Sequence, residues 1–475
     1  MPPAAVVWFR NDLRLSDNPA LVAAAAVGAV IPLYIYDESR LARRLGDASR
    51  WWLDKSLRRM AADLAALGAP LVLRRGRAGR VLNELLAETG ASSVYWNRVY
   101  DTPSVLRDSS IKADLRSRGV GVHSFNGSLL IEPWAVRNKA GEPFRVFTPF
   151  WRAARAQIEE AEPFAVPKRL RRVEPTPRSE GLADWQLHPV GPDWSLGFHD
   201  WTPGESGAWS RLTAFLAGGA KGYVEARNSP ALLGTSRLSP HLHFGEVSPR
   251  QVWAATIGAE VMGDIDQNQT DGFLRQLGWR EFNHHLGYHF PKMEQEGFNS
   301  RFRDFPWRDD PAGVESWRRG RTGFPIVDAG MRELWSTGWM HNRVRMIAAS
   351  FLTKDLMADW RIGESWFWNT LVDADLANNV SGWQWVAGVG ADAAPYFRIF
   401  NPVLQGVKFD PQGSYVRHWL PELAGLPDRY IHEPWRAEQS ILAEARVRLG
   451  VTYPAPIIDH AEARSRALAA YERSV

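Results

Sequence analysis

Gly338-Trp339-Met340-His341-Asn342-Arg343-Val344-Arg345-Met346, with Asp373-Ala374-Asp375-Leu376-Ala377-Asn378-Asn379-Val380-Ser381-Gly382-Trp383-Gln384-Trp385 a little further on, sets charges and amides among indoles. Arg343, Arg345, Asp373, Asp375, Asn378 and Asn379 are interleaved with Trp339, Trp360, Trp366, Trp368, Trp383 and Trp385. Segments this aromatic belong in a folded interior, where charge has to be paired or hydrogen-bonded. Two structures meet that demand. One is a helical core holding a few buried ion pairs. The other is the lining of a pocket for a large, flat ligand with polar edges. Composition alone does not separate them.

The helical character extends outward in both directions. From Glu205 onward, helical spacing recurs in Ser206 to Leu216, Ser248 to Ile257, Gly272 to Tyr288 and Ile326 to Leu352, and Asp459 to Arg473 reads as one more amphipathic helix. The first part of the chain alternates instead. Val6 to Phe9, Val30 to Tyr36, Leu71 to Leu73, Ser93 to Trp96 and Val120 to Val122 are short apolar runs that read as buried strands. Asn18 to Ala26, Ser49 to Leu67, Arg77 to Thr89 and Pro103 to Arg118 read as the helices between them. That alternation predicts an α/β domain with a doubly wound, five-stranded parallel sheet, ahead of an all-α domain. From Asn126 to Pro203, prolines such as Pro133, Pro143, Pro149 and Pro175 break the pattern repeatedly. The expected division is an α/β domain over 1–130, a connector over 131–203 and a helical domain over 204–475.

Composition narrows the function classes. The chain of 475 residues is long enough for two domains. It has no cysteine, which excludes disulfides, cysteine-ligated zinc and cysteine-ligated iron–sulfur clusters. No apolar run reaches the roughly 18 residues of a membrane-spanning helix. The opening Met-Pro-Pro-Ala-Ala-Val-Val-Trp-Phe-Arg reads as a first strand and not as a signal peptide, so a cytoplasmic protein is expected. The formal charge of +4 is compatible with a polyanionic partner. The 23 tryptophans supply stacking surfaces and oxidisable rings. No G-x-G-x-x-G follows the first strand, so the usual dinucleotide fingerprint is absent there.

A second polar constellation is Lys221-Gly222-Tyr223-Val224-Glu225-Ala226-Arg227-Asn228, followed by Gly234-Thr235-Ser236-Arg237-Leu238-Ser239-Pro240-His241-Leu242. Hydroxyls and backbone N–H groups at a turn that opens a helix suit a pyrophosphate, and equally an ordinary helix cap.

In order, these pieces resemble the cryptochrome/photolyase family, most nearly its bacterial enzymes for cyclobutane pyrimidine dimers. Trp8-Phe9-Arg10-Asn11-Asp12-Leu13-Arg14-Leu15, the Thr-Ser-Arg-Leu-Ser turn, Leu277-Gly278-Trp279-Arg280-Glu281-Phe282, Gly323-Phe324-Pro325-Ile326-Val327-Asp328-Ala329 and the two opening stretches carry the resemblance. It spans about Val6 to Trp435. The resemblance implies an FAD held by the helical domain. Tyr223, Thr235, Ser236, Arg237, Leu238 and Ser239 would hold the pyrophosphate and its neighbours. Arg280, Asn342, Arg345, Asp373, Asp375 and Asn379 would contact the flavin half, with Arg345 and Asp373 as a charge-assisted pair beside the ring and the Asn379 amide facing flavin N5.

The resemblance also implies light-driven repair of UV-damaged DNA. Histidines that serve (6-4) repair would fall on Asn342 and Met346, and neither of these residues titrates. Asn342, Met346, Asn379 and Gln276 are therefore the candidate catalytic groups for a cyclobutane dimer. Gln276 stands where many such enzymes carry glutamate, which keeps hydrogen bonding to thymine carbonyls but removes proton sharing. Trp279 and Trp385 would flank a flipped-out dimer by stacking, with Met346 on the lesion side. Trp307, Trp360 and Trp383 match the family's electron-transfer chain. Arg227, Arg343, Arg398 and Lys408 are the phosphate-contact candidates. A second, antenna chromophore is left undetermined: Ser104 stands where folate-binding members carry an acid, which leaves open methenyltetrahydrofolate bound differently, a deazaflavin or no antenna. A monomer without an iron–sulfur cluster is expected. The rival readings are a flavin photosensor, opposed by the lack of a long polar tail after the last helix, a (6-4) repair enzyme, and a helical binder of some other flat ligand.

Overall fold

The computed structural model of the protein describes residues 3–39, 43–159, 162–189, 191, 193–392 and 397–474. It divides into two compact units. One comprises Met1–Trp194, His199–Lys221 and Ser236–Pro291, and the other Ser195–Phe198, Gly222–Thr235 and Lys292–Val475. These units follow contacts and take helices up to Pro291 into the first, whereas the sequence boundaries followed composition.

Five strands, β1 (Ala4–Phe9), β2 (Ala29–Asp37), β3 (Val72–Gly76), β4 (Ser93–Asn97) and β5 (Gly121–Phe125), form one parallel sheet in the order β3-β2-β1-β4-β5. Helices α1 (Pro19–Val27), α2 (Asp47–Ala66), α3 (Ala78–Thr89) and α4 (Thr102–Ser117) are the crossovers. The doubly wound arrangement matches the alternation in the sequence. Strands β1, β2 and β4 read as unbroken apolar runs because both sheet faces are covered; all six residues of β1 are buried. Local chemistry sets the ends: Asn18 caps α1 by accepting from the N–H of Leu21, and Asp101 caps α4 by accepting from that of Ser104 at 2.9 Å.

The strand order reverses between β1 and β4, the usual ligand crevice of such a sheet. Here it holds charge. Arg10 pairs with Asp108 and donates to the Asn97 carbonyl, and Arg107 bridges Asp37 and Asp108, each at 2.9 Å. Arg10 and Asp12 of the first motif thus belong to a structural network, in which Asp12 accepts from the Asn97 amide at 2.7 Å.

The 131–203 segment is less irregular than its prolines suggest. It contains α5 (Phe147–Arg155). Pro149 falls in the first turn of α5, where a proline costs no hydrogen bond. In the first unit follow α6 (Glu205–Ala217), α8 (Ser239–His243), α9 (Pro249–Val261) and α10 (Gln267–His289), with α7 (Tyr223–Ala226) between them in sequence but in the second unit.

The second unit is helical among its described residues: α11 (Pro311–Arg318), α12 (Pro325–Thr337), α13 (Asn342–Ser350), α14 (Trp360–Thr370), α15 (Leu376–Ala387), α16 (Pro402–Phe409), α17 (Ser414–Trp419), α18 (Gln439–Glu444) and α19 (His460–Ser474). The single helix read from Ile326 to Leu352 is two. Gly338 ends α12 at φ +67°, and a Cβ there would fall 2.6 Å from the Phe198 ring. A π-helical turn, Phe351–Asp355, then follows α13. Among the described residues no helix is long and apolar enough to cross a membrane.

Candidate functional site

Three starts converge in the second unit: the first turn of α13, the first turn of α15 and the loop before α15. Arg345 donates from Nε to the Met340 carbonyl at 2.7 Å and from Nη2 to Asp373 Oδ2 at 2.8 Å. Asp373 in turn joins Asp375, whose N–H bonds the Asp373 carbonyl at 2.7 Å. Asp375 caps α15, accepting from the backbone N–H of Asn378 at 2.9 Å and its amide at 2.6 Å. One residue on, Asn379 donates from Nδ2 to both the carbonyl (3.0 Å) and Oε1 (2.8 Å) of Glu364 on α14. Asn342 opens α13, and its amide nitrogen lies 3.9 Å from the Met346 sulfur one turn later. Arg345, 28 residues before Asp373, is therefore joined with Asp373, Asp375 and Asn379 in one connected polar group.

The group is incomplete by its own atoms. The Asp373 side chain is 3 % exposed, yet its Oδ1 has no hydrogen-bond partner among the described residues. A buried carboxylate oxygen without a donor is costly. A flat heterocycle whose edge carries one N–H among several acceptors satisfies it, and the Arg345 guanidinium beside it suits those acceptors. An isoalloxazine has that edge, so the residues present fit a flavin.

The other cofactor candidates fall in both units. Tyr223, on α7, is buried, and burial pushes its phenol up to about 12, so it stays a hydroxyl. The Thr235 to Ser239 turn crosses the unit boundary after Thr235. In the first unit Arg237 takes φ +50°, the Leu238 N–H points at Ser236 Oγ at 3.4 Å, and Ser239 starts α8. Arg280, on α10, donates to the Ser128 carbonyl at 2.9 Å and to Glu281 Oε1 at 3.2 Å. Also on α10, the Gln276 amide donates to the Gly272 carbonyl at 3.2 Å, which spends one of its two N–H groups.

The tryptophans are seated by glycines and other rings. Trp383 is 2 % exposed and packs against Phe367 (4.9 Å) and Trp317 (6.1 Å). Its ring occupies the space beside Gly363 of α14, where a Cβ would come within 2.1 Å. Trp360 begins that same helix. Trp360 and the half-buried Trp307 line one cavity of about 60 Å³, together with Arg303 and Arg361. Trp279, in the first unit, stacks flat on Phe147 at 3.7 Å and 6°. Trp385, in the second, is half-buried.

The cations of the second unit share a patch. Arg343 donates to Asn228 Oδ1 at 2.5 Å, and its guanidinium lies 4.3 Å over Phe409. Burial first, then the charges of Arg227 and Arg398, lower its pKa. Lys408 lies 5.3 Å over the same Phe409 ring.

Sequence reasoning missed Glu364, Phe147 and Glu281. Glu281 is fully buried, accepts from the N–H groups of Leu130 (2.9 Å) and Ile131 (3.3 Å), and is pushed up to about 7 by burial. Its signal was a glutamate inside an apolar helical run. Glu364 and Phe147 gave none, since their partners lie 15 and 132 residues away.

Two family descriptions match the chain: "DNA photolyase" over residues 5–168, and "FAD binding domain of DNA photolyase" over residues 273–473. A deoxyribodipyrimidine photo-lyase of Agrobacterium fabrum is 52% identical over 98% of this chain and 97% of its own. Cryptochrome-2 of Arabidopsis thaliana is 40% identical over 100% of this chain and 79% of its own. The crystal structure of a bacterial class III photolyase from Agrobacterium tumefaciens superposes with a TM-score of 0.97, at 51% identity, covering 100% of this chain and 98% of that one. With an FAD-binding domain matched in its helical part and relatives alike over almost their whole length, the chain belongs to the photolyase/cryptochrome family.

Proposed function

We propose that this protein is a light-driven DNA repair lyase that splits cyclobutane pyrimidine dimers. The observation that carries the reading is the pair Asn342 and Met346, side by side on α13 and both without a titratable proton. Repair that only moves an electron needs no acid there; (6-4) repair does. The names of the relatives support the same substrate.

Bound, reduced FAD supplies under blue or near-ultraviolet light the electron that opens the cyclobutane ring. The protein's part is placement. Asp373 and Arg345 hold the polar edge of the flavin, and Tyr223, Thr235, Ser236, Arg237, Leu238 and Ser239 its phosphates. Asn379, pinned by Glu364, presents its carbonyl oxygen. Arg280, Asn342 and Asp375 contact the flavin half as well. Gln276 hydrogen-bonds a thymine carbonyl through its amide, while Trp279 and Trp385 stack on the flipped-out bases. Arg227, Arg343, Arg398 and Lys408 neutralise backbone phosphates. Trp383, Trp360 and Trp307 pass electrons inward when the flavin has been oxidised. The chain works as a monomer on DNA in the cytoplasm, without an iron–sulfur cluster, and the division 1–130, 131–203 and 204–475 describes its functional parts. The antenna stays open between a folate, a deazaflavin and none.

Similarity to a plant cryptochrome over the whole chain supports a photosensor as the second reading. One assay separates the readings. Reduced protein and light are offered two oligonucleotides, one with a cyclobutane dimer and one with a (6-4) product. Restoration of the first alone is expected. Restoration of the second alone overturns the argument from Asn342 and Met346, and restoration of neither, with flavin bound and reduced, puts the photosensor first.

A further inference from the structure

Phe147, the first residue of α5, is 1 % exposed and lies parallel to the Trp279 indole at 3.7 Å and 6°. Phe282 meets Trp279 edge-on at 6.0 Å and 74° and meets Phe147 at 5.9 Å and 71°, while Trp151 lies nearly parallel to Phe147 at 6.4 Å and 9°. Helix α5 packs closely on α10. One turn after Phe147, Trp151 fills the space left by the missing side chain of Gly278, where a Cβ would fall 2.6 Å from its ring. Phe150 packs on Phe282 at 5.2 Å and on His285 at 5.0 Å. The Arg275 guanidinium lies 4.8 Å over Phe147, one helical turn before Trp279.

We propose that Phe147 is a positioning residue for lesion recognition, holding the Trp279 indole in one plane before a damaged base arrives. The proposal rests on the reading that Trp279 stacks on the flipped-out dimer. An indole with a flat ring behind it and an edge-on ring beside it has few rotamers left to lose. A base that stacks on its outer face then completes a three-layer stack, Phe147–Trp279–base, without the entropy of ordering Trp279. The 131–203 segment becomes part of the recognition apparatus through α5, and dimers are selected by a surface made flat in advance.

The test is a double-mutant cycle on duplex DNA, with and without one cyclobutane dimer, using the FAD-loaded protein in the dark. Phe147→Leu keeps apolar bulk but removes the flat face. It should weaken binding of the dimer-bearing duplex by roughly 3- to 10-fold, leave binding of undamaged duplex unchanged, and leave the repair yield per photon of the saturated complex unchanged. In a Trp279→Ala background the same substitution should have no further effect, and Phe147→Tyr, which keeps the ring plane, should bind like the parent. Equal losses on damaged and undamaged DNA, or a loss that persists in full without Trp279, would overturn the proposal. If Trp279→Ala alone leaves dimer affinity unchanged, it is the stacking role of Trp279 that fails. Flavin content and thermal midpoint show whether Phe147→Leu is folded; if it is not, the cycle is run with Phe147→Met and the same outcomes decide.

Discussion

Asn379 gives both N–H groups of its side-chain amide to Glu364, one to the backbone carbonyl at 3.0 Å and one to Oε1 at 2.8 Å. A backbone carbonyl can only accept, so the amide has one orientation, with Nδ2 toward Glu364. On the proposed reading, in which Asn379 faces flavin N5, the side left to the ring is its carbonyl oxygen, an acceptor suited to a ring that carries a proton at N5. Glu364→Leu should free the amide to turn over. Flavin should remain bound, but the reduced protein should reoxidise in air several-fold faster, as expected for about 1 kcal/mol of lost hydrogen bonding. Unchanged reoxidation would mean that the amide orientation does not matter to the reduced state.

Asp373→Ala should lower flavin occupancy. The substitution removes the carboxylate and leaves Arg345, 23 % exposed, without its 2.8 Å partner. Breaking a fully buried pair costs about 3–5 kcal/mol, and the partial exposure here reduces that to about 1–3. The ratio of flavin to protein absorbance in the purified variant reads the effect, and full retention would argue that the pair is only structural.

Trp383→Phe should block photoreduction of oxidised flavin, because phenylalanine is much harder to oxidise than tryptophan. Phe367 and Trp317 still enclose the site, so the cavity beside Gly363 should cost only about 1–2 kcal/mol of stability. Protein reduced chemically beforehand should repair normally, since that electron starts on the flavin. Photoreduction at the parent rate would assign the donor role to another tryptophan.

The sheet was legible because β1, β2 and β4, buried over most or all of their length, leave apolar runs that alternate with helical spacing. Less visible were features made by contacts between distant residues. A helical pattern runs through Gly338, but the glycine is required by Phe198 packed against it, and that proximity has no local signal. Pro149 looks like a breaker and is a first-turn proline. The ionic residues of the site were legible by type, since charge among indoles demands partners. Their partners were only half legible: Arg345 and Asp373 could be paired by resemblance, whereas Glu364 and Phe147 became visible only in three dimensions.

Glu281 should make stability depend on pH. Burial raises its carboxyl from 4.5 to about 7, against the pull of Arg280 and the N–H groups of Ile131 and Leu130. The folded protein therefore holds a proton that the unfolded chain has released between these values. The stability from this group is complete below pH 4.5 and is lost as pH rises through 7, by about 3 kcal/mol at 1.36 kcal/mol per unit. Glu281→Gln, which mimics the protonated form, should lose less stability than the parent from pH 5 to 8 in thermal melts, and parallel pH profiles would show that the carboxyl titrates normally.

Arg343 should act as a phosphate contact whose strength comes from its neighbours. It is half-buried against Phe409 and Asn228, and the charges of Arg227 and Arg398 bear on it. Like charges held together raise the energy of the free protein and lower it when an anion arrives, so the patch favours phosphate over water. Arg343→Ala should weaken binding to damaged and undamaged duplex by similar factors, independently of flanking sequence, because backbone contacts carry no base information. The slope of log affinity against log salt should become shallower by about 0.9, the release of one counterion. If the variant instead loses dimer preference at an unchanged salt slope, Arg343 faces the lesion and not the backbone, and the phosphate role passes to Arg227, Arg398 and Lys408.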